Sequence, residues 1–368
     1  MQHWGRHRLF FAERLVFAAA IGVGVAIPSD STAAQPIDTC LRGANTASGE
    51  FGELKHTPGE YGITHIYPSA ETYRYLASKG MNTVRLPFKW ERIQPELFGD
   101  FDPKEFGLFR ESLEAATAAG LAVIIDPHTH AKYYGNSVGS VEVPIDALAD
   151  MWRRFAEIYA NRPDIIFGIM NEPVHITART WLEASNLSIA AIRNAGANNL
   201  ILVPGTIWTA GHHWFDDQVG GSNAEVMLET ADPAKNFVFE IHQYMDDNFS
   251  GTNPSCPRVE DALASLEKFT EWLEQHGHKG FLGEFGGTQT DACLKGLGKM
   301  VTFIDGRPDT WIGWTVWAAG EWWGDYPYSI QPDNGLDKPQ MAVLETLLQL
   351  DPVGASVCTY PAGSVMAE

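Results

Sequence analysis

The 368-residue chain carries 46 acidic against 26 basic side chains, a formal charge of −20, with 45% hydrophobic and 20% charged residues. That is a globular composition with material for one large core. So acidic a surface argues against nucleic acid and anionic membranes as partners and favours a soluble monomer, while saying nothing against a neutral ligand.

Arg6, Arg8 and Arg14 precede an apolar run from Leu15 to Ile27 and then Ser31-Thr32-Ala33-Ala34. Basic, apolar and small in that order is the pattern of a secretory signal peptide. The run is too short to span a bilayer, and no comparable run follows. Residues 1–34 are therefore expected to be removed, leaving residues 35–368 as a single exported domain, secreted or periplasmic. Cleavage takes away three Arg and two acids and moves the charge from −20 to −21. Cys40, Cys256, Cys293 and Cys358 remain, an even count that fits two disulfides in an exported chain. The expected pairs are Cys256–Cys293, between two neighbouring loops, and Cys40–Cys358, tying the chain ends together.

From Cys40 onward, short apolar runs alternate with amphipathic ones. The strands expected are Leu41–Asn45, Met81–Pro87, Leu121–Asp126, Ile165–Pro173, Leu200–Gly205, Phe237–His242, Gly280–Gly286 and Trp311–Trp317. Helices are expected around Ser69–Lys79, closed by Gly80, and along the stripe Phe106, Phe109, Leu113, Ala116, closed by Gly120. Further stripes are Leu148, Trp152, Phe155, Tyr159, then 178–193, then Val259, Ala262, Leu266, Phe269, Leu273, and last Lys338–Leu350. Eight apolar strands alternating with helices predict an α/β fold of the closed (β/α)8 barrel type.

Two strands end in an acid. Ile165-Ile166-Phe167-Gly168-Ile169-Met170 runs into Asn171-Glu172-Pro173, and Gly280-Phe281-Leu282-Gly283 into Glu284-Phe285-Gly286. The strand should stop at Pro173, which cannot donate to a ladder. Active sites of such barrels lie at the carboxyl ends of the strands. Strands four and seven put Glu172 and Glu284 on opposite walls of one mouth, the constellation that glycoside hydrolysis requires.

Seven ordered motifs span nearly the whole mature chain: Arg42-Gly43-Ala44-Asn45, Asn82 to Pro87, Asp126-Pro127-His128, Asn171-Glu172-Pro173, His242-Gln243-Tyr244, Gly283 to Gly286 and Trp314 to Gly320. On these the chain resembles glycoside hydrolase family 5, and within it the subfamily of fungal and bacterial endo-β-1,4-glucanases. The resemblance implies a retaining hydrolase that cuts β-glucan polysaccharides or oligosaccharides without a cofactor or metal. It implies Glu172 as acid/base, Glu284 as nucleophile, Asn171 as the contact to the sugar 2-hydroxyl, and Arg85 and Tyr244 as partners of Glu284. His128 and His242 would line the same subsite, with Trp317 under the sugar ring. A cation such as Arg85 would lower the pKa of Glu284, whereas burial and the nearby negative charge on Glu284 would raise the pKa of Glu172. Thr129-His130 departs from the usual Asn-Tyr of the family. Trp208, His213, Trp322 and Trp323 follow strands five and eight and are candidates for further subsites.

Other readings are a β-mannanase or mixed-linkage β-glucanase on the same frame, and a non-catalytic glycan-binding barrel. His128-Thr129-His130 with His242 and Asp126 would suit a metal-dependent amidohydrolase, although that pattern belongs on a first strand. Asn186-Leu187-Ser188 and Asn248-Phe249-Ser250 match the glycosylation pattern.

Overall fold

The computed structural model describes residues 40–52 and 59–350. The leader and Cys358 lie outside the described residues. Eight parallel strands close into a barrel in sequential order: β1 Leu41–Thr46, β2 Thr83–Phe88, β3 Ala122–Pro127, β4 Ile165–Gly168, β5 Ile201–Pro204, β6 Phe237–His242, β7 Gly280–Phe285 and β8 Trp311–Ala319. β1 pairs β8 from Leu41↔Gly313 onward and so shuts the sheet on itself.

Around it run α1 Ala70–Ser78, α2 Pro103–Ala118, α3 Ile145–Tyr159, α4 Ala178–Asn194, α5 Val259–His276, α6 Asp291–Asp305 and α7 Pro339–Leu350. Caps fix their starts: the side chains of Ser69, Asp102, Thr177 and Thr290 accept from backbone N–H groups of the first turns, which otherwise have no partner. Gly80 and Gly120, at φ 92° and 84°, end α1 and α2 as expected.

The core has two parts, separated by strand alternation. Ile165 and Phe167 face the helices, whereas Ile166 joins Leu41, Ile124, Leu202, Val238, Phe281 and Ile312 in a small cluster inside the barrel. Each such side chain contributes about 1.5–3 kcal/mol, and Phe281→Ala would cost about 3–5 kcal/mol. The same inward rows continue upward as polar groups: Ile124 to Asp126 on β3, Val238 to Glu240 and His242 on β6. The floor is apolar and the mouth is charged.

Three details differ from expectation. β4 stops at Gly168 rather than at Pro173. The Ile169 N–H still donates to Leu202 and that of Asn171 to Pro127, but Glu172 turns into the left-handed region at φ 43° and leaves the strand direction. Helix α6, with Gly296 and Gly298 inside it, has no counterpart in the expected pattern. The Cys256–Cys293 disulfide forms, but Cys293 sits in the first turn of α6 and not in a loop. Cys40 is also disulfide-bonded.

Candidate active site

Arg85 is the hub of the mouth. β2 sends it inward at 1% exposure, where it meets Asp126 at 2.9 Å, Glu240 at 3.2 Å and Glu284 at 3.0 Å. It also donates to Asn45 Oδ1 at 3.0 Å and Asn171 Oδ1 at 2.8 Å. Burial alone would drive an arginine toward neutrality, but these three carboxylates reverse that and hold its charge more firmly than usual.

One ring of contacts returns to Arg85. Asn171, oriented by Arg85, donates its amide to His128 Nε2 at 3.0 Å. His128 Nδ1 lies 2.8 Å from Asp126 Oδ2, which pairs with Arg85. Burial, together with Arg85 and His130, keeps His128 neutral, so that Nδ1–H donates and Nε2 accepts. Burial raises Asp126, against the pull of Arg85.

Glu284 is held at both oxygens, Oε1 by Arg85 and Oε2 by the Tyr244 hydroxyl at 2.8 Å. Its register is local: the β6–β7 ladder shifts between Ile241 and His242, which sets His242 opposite Glu284. Glu172 Oε1 lies 2.9 Å from His242 Nδ1, and Oε2 lies 3.8 Å from His130. The same Nδ1 is 3.5 Å from Glu284 Oε2, while Nε2 is 3.4 Å from Glu240 Oε1. Carboxyl oxygens of Glu172 and Glu284 and a nitrogen of His242 all lie within 4.8 Å of one another.

The charges do not order as the sequence leads one to expect. Arg85 does work downward on Glu284, but burial, helped by Glu172, outweighs it and pushes Glu284 up to about 7. Burial does work upward on Glu172, but the hydrogen bond and charge of His242 outweigh it and lower Glu172. His242 itself is raised to about 10, because Glu284, Glu172 and Glu240 overcome its burial. The two acids therefore titrate as a pair, with the imidazolium between them.

A metal site of the amidohydrolase type does not fit. Both nitrogens of His128 are engaged by Asp126 and Asn171. Among the described residues the ligand atoms that converge are those of Glu172, His242 and Glu284, and the guanidinium of Arg85 stands against Glu284 where it would repel a cation.

Aromatic side chains wall the mouth. Trp317 stacks on His128, with centroids 5.6 Å apart and planes at 27°. Trp323 meets both Trp317 and Phe51 edge-on, while Trp322 is exposed. Trp208 packs edge-on against His130. A cavity of about 470 Å³ opens beside Glu172 and His242, with Trp208, His213, Phe249 and Tyr244 among its lining residues. The loop bearing Phe249 is pinned by Asp246, which accepts from the N–H groups of Gly251, Thr252 and Asn253, and by the Cys256–Cys293 bridge.

The two acids, Glu172 and Glu284, and the six residues expected around them, Arg85, His128, Asn171, His242, Tyr244 and Trp317, meet in this mouth. The expectation missed Glu240, Asn45 and Gln243, whose N–H donates to the Glu284 carbonyl at 2.9 Å. Glu240 had a signal: an acid inside the apolar run Phe237–His242, two residues from His242 and so on the same face.

The family model described as cellulase (glycosyl hydrolase family 5) matches residues 42–320. An endo-beta-1,4-glucanase A of Emericella nidulans is 33% identical over 296 residues, 80% of this chain and 87% of the relative. A solved structure of XacCel5A in complex with cellopentaose is 45% identical, with a TM-score of 0.81 over 83% of this chain and 99% of that one. An endo-beta-1,4-glucanase of Xanthomonas axonopodis pv. citri is 43% identical, with a TM-score of 0.82 over 84% and 99%.

Proposed function

The chain belongs to glycosyl hydrolase family 5, and from that premise we propose that it is a retaining endo-β-1,4-glucanase with Glu284 as nucleophile and Glu172 as acid/base. The observation that carries this reading is that a carboxyl oxygen of Glu172 lies within 4.8 Å of a carboxyl oxygen of Glu284. Retaining enzymes hold their acids about 5–5.5 Å apart, whereas inverting ones need about 6.5–9.5 Å to admit a water.

In the first step Glu284 attacks the anomeric carbon while Glu172 gives its proton to the leaving oxygen. Glu284 has the bonds of an ionised nucleophile, with donors on both oxygens. Among the described residues Glu172 Oε2 has only the 3.8 Å contact to His130 Nδ1, which leaves it as the oxygen available to the glycosidic oxygen. One proton shared by the pair must sit on Glu172 when substrate is in place, and His242 Nδ1 faces both acids. In the second step Glu172 takes a proton from water, which attacks the glycosyl ester. Asn171, its carbonyl fixed by Arg85, offers an amide hydrogen to the sugar 2-hydroxyl.

The substrate class proposed is soluble or amorphous β-1,4-glucan, taken up by a monomer whose residues 1–34 have been removed on export. None of the described helices is long and apolar enough to cross a membrane. Reducing-end release on carboxymethylcellulose, mixed-linkage glucan, mannan and xylan, with proton NMR of the first anomer formed, tests the reading. The β-anomer appearing first, from glucan in preference to mannan, supports it. The α-anomer first overturns retention, and mannan as the best substrate overturns the substrate class.

A further inference from the structure

The reaction as written leaves one buried acid unused. Glu240 lies beneath both catalytic carboxylates at 1% exposure, with Oε1 shared between Arg85 Nε at 3.2 Å and His242 Nε2 at 3.4 Å. Its Oε2 has no hydrogen-bond partner among the described residues. The fold keeps space for it: a Cβ on Gly283 would come 2.0 Å from Glu240 Oε1, so the residue beside the nucleophile has no side chain. Removing an acid from water without a full set of partners costs several kcal/mol, which a purely structural position would not require.

What Glu240 does follows from the two faces of His242. Nδ1 faces Glu172 and Glu284, and Nε2 faces Glu240. An ionised carboxylate only accepts, so an imidazole with acids at both nitrogens carries two protons. Without the Glu240 charge, Nε2 could be bare and His242 neutral. We propose that Glu240 is a positioning residue for the hydrolysis: it keeps His242 an imidazolium, and this cation governs the acidity of Glu172 in both steps. The inference rests on the assignment of Glu172 as acid/base. His242 keeps both protons throughout. The proton that Glu172 gives to the leaving oxygen is replaced from the attacking water, and the imidazolium stabilises Glu172 while it is ionised in between.

The groups facing His242 come from every neighbouring strand: Glu172 beyond β4, Glu284 from β7, and Arg85 and Asp126 from β2 and β3, whose charges act on it or on its partners. His130 acts on Glu172 from beyond β3, and the Tyr244 hydroxyl is spent on Glu284. Arg85 disfavours a second cation and the acids favour one, so removing one anion moves the balance in a defined direction.

Glu240→Gln keeps an acceptor and removes the charge, whereas Glu240→Asp keeps the charge. The alkaline limb of the pH profile of kcat/KM on a soluble β-1,4-glucan reports loss of the Glu172 proton, and without the imidazolium that makes Glu172 more acidic it should move to higher pH by about one unit or more in Glu240→Gln. Glu240→Asp should restore the limb toward that of the wild type even where kcat stays low. A folded Glu240→Gln with the wild-type limb overturns the proposal. Should Glu240→Gln fail to fold, the wild type decides through nitrogen-15 spectra of labelled histidine, with His242→Gln used to identify the signals. An imidazole doubly protonated beyond about pH 8 supports the proposal, and one titrating near its ordinary value of about 6.5 overturns it. A wild type that cuts no β-glucan would sink the hydrolase reading, while the spectra would still decide the charge of His242.

Discussion

Two arginines, one at each end of the barrel, are bound in opposite styles. Arg193, on α4 near the amino ends of the strands, grips Asp232 with two nitrogens at 2.8 Å each and donates to the carbonyls of Ala197, Asn199 and Asn236. Asp232 in turn accepts from the N–H groups of Ala234 and Asn236. That set is one cation, one anion and saturated acceptors. Arg85, in the mouth, is shared among three carboxylates and two amides, yet Asp126 Oδ1 and Glu240 Oε2 have no hydrogen-bond partner among the described residues. The lower cluster is closed and holds the chain together. The upper cluster carries more negative charge than its cations neutralise, and that surplus is what chemistry can use at a cost in stability.

The sharpest way to break this contrast is to remove the surplus. Glu284→Gln should lower turnover by about four orders of magnitude or more, as loss of a covalent nucleophile does, and should raise stability near pH 7–8 by about 1–3 kcal/mol. The sign follows from linkage. Glu284 is raised from 4.5 to about 7 on folding, so its folded form binds the proton more tightly than the unfolded chain, and stability is lost as pH rises through that interval. Thermal melts of wild type and variant should coincide near pH 4 and separate by pH 8. A variant that is inactive but less stable at pH 8 would contradict the reading of the mouth as over-charged.

Next in size is the exchange of each arginine for lysine. Arg85→Lys keeps the charge but loses the fork that orients Asn171, Asn45 and Glu284 together, and should cost about 10²–10³ in kcat with a small change in Tm. Arg193→Lys should leave kcat near that of the wild type and cost about 2–3 kcal/mol of stability. Kinetics and melts on the two variants separate the roles. Equal losses of both kinds in both proteins would erase the distinction.

The sequence made the frame legible because apolar runs of strand length, broken by helical stripes, leave few alternatives to a closed barrel. Glu172 and Glu284 were legible because an acid closing such a run is out of place unless used. Other features depend on geometry that residue order does not carry. The turn that swings Glu172 off β4 is a backbone event at φ 43°, invisible in Asn-Glu-Pro. The charge order of the two acids is set through space by His242 and by burial, not by the nearness of Arg85 alone. Helix α6 was hidden by Gly296 and Gly298, which lower its propensity, and Glu240 by sitting in a run that reads as core.

A smaller effect separates the two ends by acid. Burial works to raise Asp232, but Arg193 and the backbone N–H groups hold it below the usual carboxylate range. A depressed acid contributes stability that is present above its unfolded value, about 3.9, and lost as pH falls through the folded one. The stability difference between wild type and Arg193→Lys should therefore shrink below about pH 4, where that of Glu284→Gln has already vanished. Melts at pH 3 and pH 6 check it, and a difference that persists unchanged at pH 3 would show that the Arg193 bonds to carbonyls, rather than to Asp232, carry the effect.

The smallest expected effect lies at the rim, where Trp208 is 43% exposed. Ile207, Trp208 and Thr209 run through the left-handed region at φ 53°, 61° and 48°, a conformation that costs about 1–3 kcal/mol per residue. The turn is held by Thr209 Oγ1, which donates to the Glu240 carbonyl at 2.6 Å and accepts from the Gly205 N–H at 2.9 Å. The Trp208 N–H donates to the Pro173 carbonyl at 3.2 Å. A strained turn that exposes a ring beside Glu172 would serve as a sugar platform set up in advance, and in that role Trp208→Ala should remove stacking in the cavity next to Glu172. The expected result is KM for cellopentaose raised about threefold to tenfold, the equivalent of about 0.5–1.5 kcal/mol, with kcat nearly unchanged. Trp322→Ala, which lacks the strained support, should do less. An aryl cellobioside too short to reach Trp208 should be cut alike by wild type and variant. If Trp208→Ala slows both substrates equally, the ring is holding the Pro173 turn and Glu172 in place instead of touching sugar.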